Sequence, residues 1–335
     1  MIPVPNEVYD VTIIGGGPIG LFSAFYSGLR SMKTKIIDAE PAVGGKVRYF
    51  FPEKIIRDIG GIPAITGENL VANLKQQAET FHPTIVCSER VVDVTKLSDG
   101  TFQLTSHNGS IHFSKTIVIA TGSGTFEVNK LEALHAEDFP FAIHYDVKNI
   151  EQFRDKVVVV SGGGNSAIDW AQTLEPIAKQ VHLIYRGEDF KAHEESVREL
   201  QNSRVEIHIH HEINELIGTN NQLTKINVCC NKTQATKTIQ TDALFINHGV
   251  KVDLGTMAEW GFEQADFGIV VDDEMKTTVP GIFACGDSAT YPRKIRIIAA
   301  GLHEGPIAIN SAKKYLEPTA ADEAMISTHH ESFIG

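Results

Sequence analysis

The fold is decided by residues 8–38, which read VYDVTIIGGGPIGLFSAFYSGLRSMKTKIID. The apolar run VYDVTIIG (8–15) predicts a buried strand, and a glycine-rich turn follows it directly. The next residues, to about Arg30, predict an apolar helix, and KTKIID (33–38) predicts a second strand. Strand, glycine turn, helix and strand in this order are typical of a βαβ unit in an α/β protein.

The glycine turn fits the pattern G-x-G-x-x-G, formed by Gly15, Gly17 and Gly20, with Pro18 at the head of the helix. These glycines permit a tight turn, close approach of the backbone to a pyrophosphate, and close packing of helix on strand. The helix N-terminus offers free N–H groups to phosphates. Asp38 ends the second strand, where a carboxylate accepts hydrogen bonds from a ribose, so the unit predicts an adenine dinucleotide without a 2′-phosphate.

A second unit of the same kind follows downstream, with a strand and turn in DKVVVVSGGG (155–164), a helix in 165–180 and a strand in VHLIY (181–185). Its fingerprint is G-x-G-x-x-A, and its members are Gly162, Gly164, Asn165, Ser166 and Ala167. The acid at the end of the second strand is replaced by Arg186, and Lys191 adds a second positive charge. Cations at this place suit a 2′-phosphate, so the second site is predicted to prefer NADPH.

Alternating segments at 90–106, 110–122 and 204–230 predict β-meanders attached to the two units. The expected fold is therefore α/β, with two Rossmann-like dinucleotide-binding domains. Two dinucleotides in one chain make sense when hydride passes from a dissociable carrier to a retained acceptor, for which a flavin is the natural choice. The expected cofactors are FAD and NADPH.

Composition narrows the class of protein further. The net charge of -12 argues against a general nucleic-acid binder, because phosphate binding wants a basic surface. No run approaches the roughly 20 apolar residues of a membrane span. Four scattered cysteines without a C-x-x-C pair exclude a disulfide scaffold and a dithiol redox centre, and they favour a reduced, cytoplasmic setting.

The 14 histidines raise the question of a metal site, above all His208, His210 and His211 on one expected strand. Two residues at i and i+2 share a strand face. Without acidic or thiol ligands nearby, such a pair is more typical of a solvated face than of a metal site. No metal is therefore expected.

The two fingerprints, together with TIVIATG (116–122) and ACGD (284–287), resemble the two-dinucleotide-binding flavoprotein superfamily. Longer strings, such as GGKVRYFFPEK (44–54) and FKAHEESV (190–197), make nearly the whole chain similar to the thioredoxin-reductase-like ferredoxin:NADP reductases of bacteria. Thioredoxin reductases carry a C-x-x-C pair in the nicotinamide domain, and this chain has none.

The resemblance implies a three-layer ββα architecture in which an NADPH domain (118–247) is inserted into a discontinuous FAD domain (1–117 and 248–335, with a C-terminal extension at 317–335). It also implies a homodimer. The aromatic ring of Phe51 is expected to cover one face of the flavin. Ile326 stands where the family commonly has a His that covers the other face, with His329 as a possible substitute. The implied FAD contacts are Gly15, Gly17, Pro18, Gly20, Asp38, Gly45, Lys46, Phe51, Val91, Phe126, Asp287 and Ser327.

Ferredoxin or flavodoxin is the implied redox partner, and its acidic surface needs cations near the flavin. Candidates for these cations are Lys46, Arg48, Lys54, Arg57, Arg293, Lys294 and Arg296. The family usually has two adjacent arginines after the second strand, whereas Gly187 follows Arg186 here, so use of NADH as well as NADPH stays open. Two alternatives also stay open: an NAD(P)H:acceptor flavoreductase with another acceptor, and a flavin-bound redox sensor.

Overall fold

The computed structural model describes residues 7–322 and His330, except Ser123, Asp146, Lys148, Leu254, Asp266 and Phe267; for 125–127 and 250–253 it describes the backbone alone. The chain divides into two compact units. The first comprises residues 1–125 and 252–335, and the second comprises residues 126–251.

The helices and strands follow one another in chain order. The first segment contains β1 (Val8–Ile14), α1 (Pro18–Leu29), β2 (Thr34–Ile37), α2 (Gly45–Phe50), β3 (Ile55–Ile56), β4 (Ile65–Thr66), α3 (Gly67–Glu79), β5 (Thr84–Val86), β6 (Val91–Lys96), β7 (Phe102–Ser106) and β8 (Ile111–Ile119). The middle segment contains β9 (Thr125–Val128), β10 (Ile143–His144), β11 (Val157–Ser161), α4 (Asn165–Leu174), β12 (Gln180–Tyr185), α5 (Glu194–Gln201), β13 (Glu206–Ile209), β14 (His211–Thr219), β15 (Gln222–Cys230), β16 (Thr236–Gln240), β17 (Ala243–Ile246) and β18 (Val250–Asp253). The last segment contains β19 (Gln264–Ala265), β20 (Gly268–Val270), β21 (Ile282–Ala284), β22 (Ala289–Thr290) and α6 (Ile298–Leu316).

The first unit is built on a parallel sheet in the order β5-β2-β1-β8, which continues into the antiparallel strands β7 and β6. Strand β8 pairs with β1 along one edge and has two partners along the other: residues 111–114 pair with β7, and Ile117–Ile119 pair with β21. Helix α1 packs against α3 and α6. The core combines fully buried residues of distant segments, among them Leu21, Ile117 and Ile309, so the two parts of this unit share one core.

The second unit has a five-stranded parallel sheet in the order β10-β17-β11-β12-β13 and an antiparallel sheet β14-β15-β16. Alternate residues of β11 enter different cores because successive side chains of a strand point to opposite faces. Val158 and Val160 pack with Ile168 of α4, whereas Val159 packs with Ile226 of β15. The parallel sheet is thus covered by helices on one face and by the antiparallel sheet on the other.

The expected α/β class with two Rossmann-like domains is confirmed, and one strand assignment needs correction. Residues 204–218 read as one alternating segment, but His210 has a φ of 59° and separates β13 from β14. The two strands belong to different sheets. A positive φ breaks the strand alternation, so His208 and His210 do not lie on one continuous face.

A search of the helices in the described part of the chain finds none that is long and apolar enough to cross a membrane.

Candidate dinucleotide-binding sites

The first glycine turn joins β1 to α1 in a conformation that larger residues would not fit. Gly15 has a φ of 104°, and a Cβ built on it would lie 2.5 Å from the carbonyl oxygen of Ala120. A Cβ on Gly20 would lie 1.9 Å from the oxygen of Gly15. The first and last glycines of the fingerprint therefore serve the tight turn and the close contact of helix and strand.

The middle glycine of the turn, in contrast, has room for a Cβ. The nearest heavy atom to a Cβ on Gly17 would be Gly45 Cα, at 3.9 Å. Gly17 is the N-cap of α1, Pro18 follows in its first turn, and within the described residues no side chain caps this end. A helix N-terminus with free N–H groups and room above it is suited to bind a phosphate.

Asp38 lies beside this turn, and its side chain is buried. Its Oδ2 accepts a hydrogen bond from the backbone N–H of Gly16 at 2.5 Å, and its Oδ1 accepts one from Glu40 at 2.8 Å. Each carboxylate oxygen has a second lone pair. The carboxylate is therefore fixed in orientation and keeps acceptor capacity for ribose hydroxyls.

Helix α2 brings Gly45 and Lys46 to the same region. Gly45 Cα faces Gly17, and burial lowers the pKa of Lys46 while the negative charge of Asp287 raises it. Phe51 follows the helix, is half-buried, and has the ammonium of Lys54 5.1 Å from its ring centre. These contacts place the glycine turn, Lys46 and Asp287 in one region of the first unit.

Asp287 lies in a short turn that a buried ion pair supports. The N–H of Gly286 donates to Glu304 Oε2 at 2.7 Å, and Oε1 of the same carboxylate accepts from Tyr291 and Lys294 at 2.6 Å each. Only 2% of the Glu304 side chain and 5% of the Lys294 side chain are exposed. Glu304 was not predicted as a site residue, and the expectation that Lys294 faces a partner is wrong because its side chain is buried against Glu304.

The remaining expected flavin contacts are described only in part. Val91 begins β6 and is buried. The side chain of Phe126, and Ile326, Ser327 and His329 of the C-terminal segment, lie outside the described residues. His330 is described, and its ring packs edge-on against Phe81 at 5.2 Å.

The second glycine turn joins β11 to α4 in the same way. Gly162 has a φ of 150°, and a Cβ on it would lie 2.5 Å from the oxygen of Asn247 and 3.0 Å from Ala167 Cβ. Gly164 is the N-cap of α4, and a Cβ on it would fit there, with Lys191 O nearest at 3.8 Å. Asn165 and Ser166 form the first turn of the helix, and Asn165 Oδ1 accepts from His193 N.

Arg186 and Lys191 are both exposed. Arg186 follows β12, and the backbone of Lys191 donates to Gly163 O at 2.8 Å. The ring of Tyr185 packs against this region: a Cβ on Gly163 would lie 2.1 Å from it, and a Cβ on Gly187 would lie 2.6 Å from it. The ring of Tyr185 stacks on Phe190, with 5.3 Å between the ring centroids.

His248 was not singled out from the sequence, although it lies at the same end of the sheet. Its Nε2 is 2.8 Å from Ser161 Oγ, at the end of β11. Burial lowers the pKa of His248, the positive charge of Arg186 lowers it further, and Glu212 raises it. The imidazole is therefore held neutral beside a cationic group, at the edge where a bound phosphate would bring negative charge.

Of the histidines considered from the sequence, His208 lies in a cluster with His182 and Glu206, neither of which was singled out from the sequence. His208 Nε2 lies 3.1 Å from His182 Nδ1, and Glu206 Oε2 lies 3.2 Å from the same nitrogen. No acidic ligand was expected near these histidines, and this expectation is wrong because Glu206 contacts His182.

Comparison with known proteins agrees with this geometry. The model of a family described as "Pyridine nucleotide-disulphide oxidoreductase" matches residues 9–305. A "Ferredoxin--NADP reductase 1" of Listeria monocytogenes serotype 4b (strain F2365) is 99% identical over 332 residues, which cover 99% of this chain and 100% of that protein. The protein of the same name from Bacillus velezensis is 49% identical over 98% of both chains.

Among solved structures, the thioredoxin reductase of Lactococcus lactis in its FR conformation superimposes with a TM-score of 0.80 and is 24% identical. The match covers 92% of this chain and 99% of that one. At this low identity, the superposition shows a shared fold and nothing more. The family match spans most of the chain and includes both glycine turns, so the chain belongs to the pyridine nucleotide-disulphide oxidoreductase family.

Proposed function

We propose that the protein is an FAD-dependent oxidoreductase that transfers electrons between NADPH and ferredoxin, or the related carrier flavodoxin. The observation that carries the proposal is the pair of glycine turns, one followed by Asp38 and the other by Arg186. The names of the relatives at 99% and 49% identity support the same activity.

FAD fits the first site because the residues there provide what its adenosine and phosphate groups need. The open N-terminus of α1 receives the pyrophosphate, and Asp38 accepts from the ribose hydroxyls. Asp287 and Lys46 supply one charge of each sign beside the turn. Phe51 provides an apolar ring to stack on the flavin. FAD, once bound, supplies two-electron chemistry with nicotinamide and one-electron chemistry with the partner.

NADPH fits the second site for a related reason. Gly164 leaves the N-terminus of α4 open for the pyrophosphate, and Arg186 with Lys191 offers cations to the 2′-phosphate. Because Gly187, and not a second arginine, follows Arg186, the discrimination against NADH rests on Arg186 and Lys191. We therefore propose a preference for NADPH that is smaller than two adjacent arginines would give.

We propose a docking face for ferredoxin on the first unit. It is formed by two segments, residues 48–57 and 293–296, which contain both exposed cations and exposed apolar side chains. Arg48, Arg57, Arg293 and Arg296 are exposed. Tyr49, Ile55 and Ile295 are exposed beside them, by 55%, 44% and 63%. Cations of this kind steer an acidic partner and make its association sensitive to salt.

The cellular setting and the assembly belong to the same proposal. The cysteines Cys87, Cys229, Cys230 and Cys285 are all free, which suits a reducing cytoplasm. We also propose a homodimer in which Ser327 contributes to the flavin site. Analytical ultracentrifugation at several protein concentrations tests the dimer.

The test of the function is anaerobic stopped-flow absorption at the flavin band. Wild-type holoprotein is mixed with NADPH or NADH, and oxidised ferredoxin is then added at low and high salt. We expect rapid bleaching with NADPH, slower bleaching with NADH, and ferredoxin reduction that slows with salt. Arg186→Gln is expected to weaken the NADPH reaction and leave the NADH reaction unchanged, while Arg198→Gln on α5 serves as the control.

The outcomes separate the candidate functions. If neither nucleotide bleaches the flavin, the reductase proposal is wrong and a redox sensor is favoured. If NADPH bleaches it but ferredoxin and flavodoxin are reduced no faster than without enzyme, the acceptor is of another class.

A further inference from the structure

The geometry of the second unit points to a zinc site formed by His182, Glu206 and His208, and we propose that the protein binds one Zn²⁺ there. The three side chains come from two neighbouring parallel strands. His182 of β12 pairs in register with Glu206 of β13, and His208 follows two residues later on the same strand. Since residues at i and i+2 share a face, all three point to the same side of the sheet.

The distances suit a shared ion. His182 Nδ1 lies 3.1 Å from His208 Nε2 and 3.2 Å from Glu206 Oε2. Two atoms bound tetrahedrally to zinc at its usual bond lengths are roughly 3.3 Å apart. Two imidazoles and one carboxylate are also a ligand set that zinc uses, with a fourth position left for water.

Without an ion, the hydrogen-bond pattern of these contacts leaves two acceptors facing each other. Lys237 Nζ, which has only hydrogens to donate, lies 2.7 Å from His208 Nδ1. A neutral His208 therefore carries its hydrogen on Nε2, directed at His182 Nδ1. That nitrogen then acts as an acceptor and also faces Glu206 Oε2, which is another acceptor. A cation placed among the three removes this conflict, and it receives a lone pair from each once the hydrogen of His208 has moved to Nδ1.

The surroundings support a site that is held in place and open to solvent. Gln180 donates to the other oxygen of Glu206 and fixes the carboxylate, as partners of metal ligands commonly do. His182 is 9% exposed and Glu206 is 53% exposed, so the site has a buried side and an accessible side. Lys237 is exposed. When zinc binds, the hydrogen of His208 moves from Nε2 to Nδ1, so the ammonium of Lys237 has to move away from Nδ1.

The test is calorimetric titration of tag-free holoprotein with zinc chloride, in a Cys229→Ser/Cys230→Ser background that removes the neighbouring thiols as competing ligands. We expect one zinc per chain. Glu206→Gln and His208→Ala each weaken binding at least tenfold, because even changes to residues that only support a ligand cost about that factor. Lys237→Ala leaves binding unchanged or strengthens it, since a competing cation is removed.

His107→Ala, which removes an exposed histidine from the other unit, is the control and keeps wild-type affinity. Circular dichroism verifies that each variant is folded, and anomalous scattering at the zinc edge from crystals grown with zinc locates the ion. The absence of saturable binding by the background protein overturns the proposal. Binding that Glu206→Gln and His208→Ala leave unchanged overturns it too, and so does an anomalous peak elsewhere.

Discussion

Replacing Glu304 by Gln tests whether the buried ion pair stabilises the first unit. The substitution keeps the shape of the side chain but removes its charge, so the ammonium of Lys294, 2.6 Å away and 5% exposed, loses its counter-charge. Removal of one partner of a buried pair costs about 3–5 kcal/mol, because the other charge stays desolvated. We expect a loss of this size in the free energy of unfolding.

Two further variants divide that loss between contacts. Tyr291→Phe removes one hydrogen bond to the carboxylate, and a bond to a charged group contributes about 1.5–3 kcal/mol. Burial raises the pKa of Tyr291 to about 12, and the bond to Glu304 acts in the same direction, so this hydroxyl stays a donor at neutral pH. The double variant Glu304→Gln/Lys294→Met removes both charges and is expected to lose much less than the sum of its single variants.

The assay is equilibrium unfolding in urea, followed by circular dichroism and by flavin fluorescence. Flavin release is a second readout, because Gly286 hydrogen-bonds to Glu304 and precedes Asp287. The pair Lys313–Glu317, whose glutamate is exposed, is the control, and its removal costs less than about 1 kcal/mol. The reasoning is refuted if Glu304→Gln changes stability no more than this control does, or if the double variant loses the full sum.

Three other predictions follow from single contacts. Gly20→Ala places a Cβ 1.9 Å from Gly15 O and is expected to yield protein that is purified with little flavin, measured as the ratio of flavin to protein absorbance; full occupancy would contradict it. Burial raises the pKa of Glu89, but the hydrogen bonds that the carboxylate accepts, that from His112 foremost, together outweigh burial, and the net pKa is lowered. Glu89→Gln should therefore be about 1.5–3 kcal/mol less stable at pH 7 in urea unfolding, with the difference lost as pH falls below the ordinary value of 4.5. A pH-independent difference would argue against this prediction. Burial raises the pKa of the Cys285 thiol to about 12, so mass spectrometry should find it unalkylated by iodoacetamide at pH 8 in the native protein and alkylated in urea; native alkylation would show that it is accessible.

The parts of the fold and site that sequence predicts are those formed by residues close together in the chain. The two glycine turns, Asp38 and Arg186 each lie within one βαβ unit, so the pattern of a short segment determines their placement. The turns have the geometry that the pattern requires, with a Cβ on Gly20 or Gly162 excluded by backbone atoms. The α/β class follows from the same segments.

The parts that sequence does not predict depend on register or on loops between distant elements. His182 and Glu206 meet because β12 and β13 pair in one particular register after a connection through α5. Glu304 is a single acid in the apolar stretch GLHEGPIAI (301–309), which is a signal of a buried, paired charge that was overlooked. Its partner Lys294 looked like a surface cation because nothing local shows that its loop folds back onto α6.

Strand β8 pairs with β7 through its first residues and with β21 through its last ones, and this has a consequence for the order in which the protein folds during synthesis. The edge of Ile117–Ile119 stays without its neighbour until residues 282–284 of β21 leave the ribosome, and the whole second unit is made in the interval. The second unit is continuous in sequence and is complete first, so it folds while the first unit still exposes an open strand edge. A nascent chain stopped before β21 is therefore expected to expose an aggregation-prone strand edge while its second unit is already folded. Because Asp287 follows β21, we also expect that such a chain does not yet bind flavin.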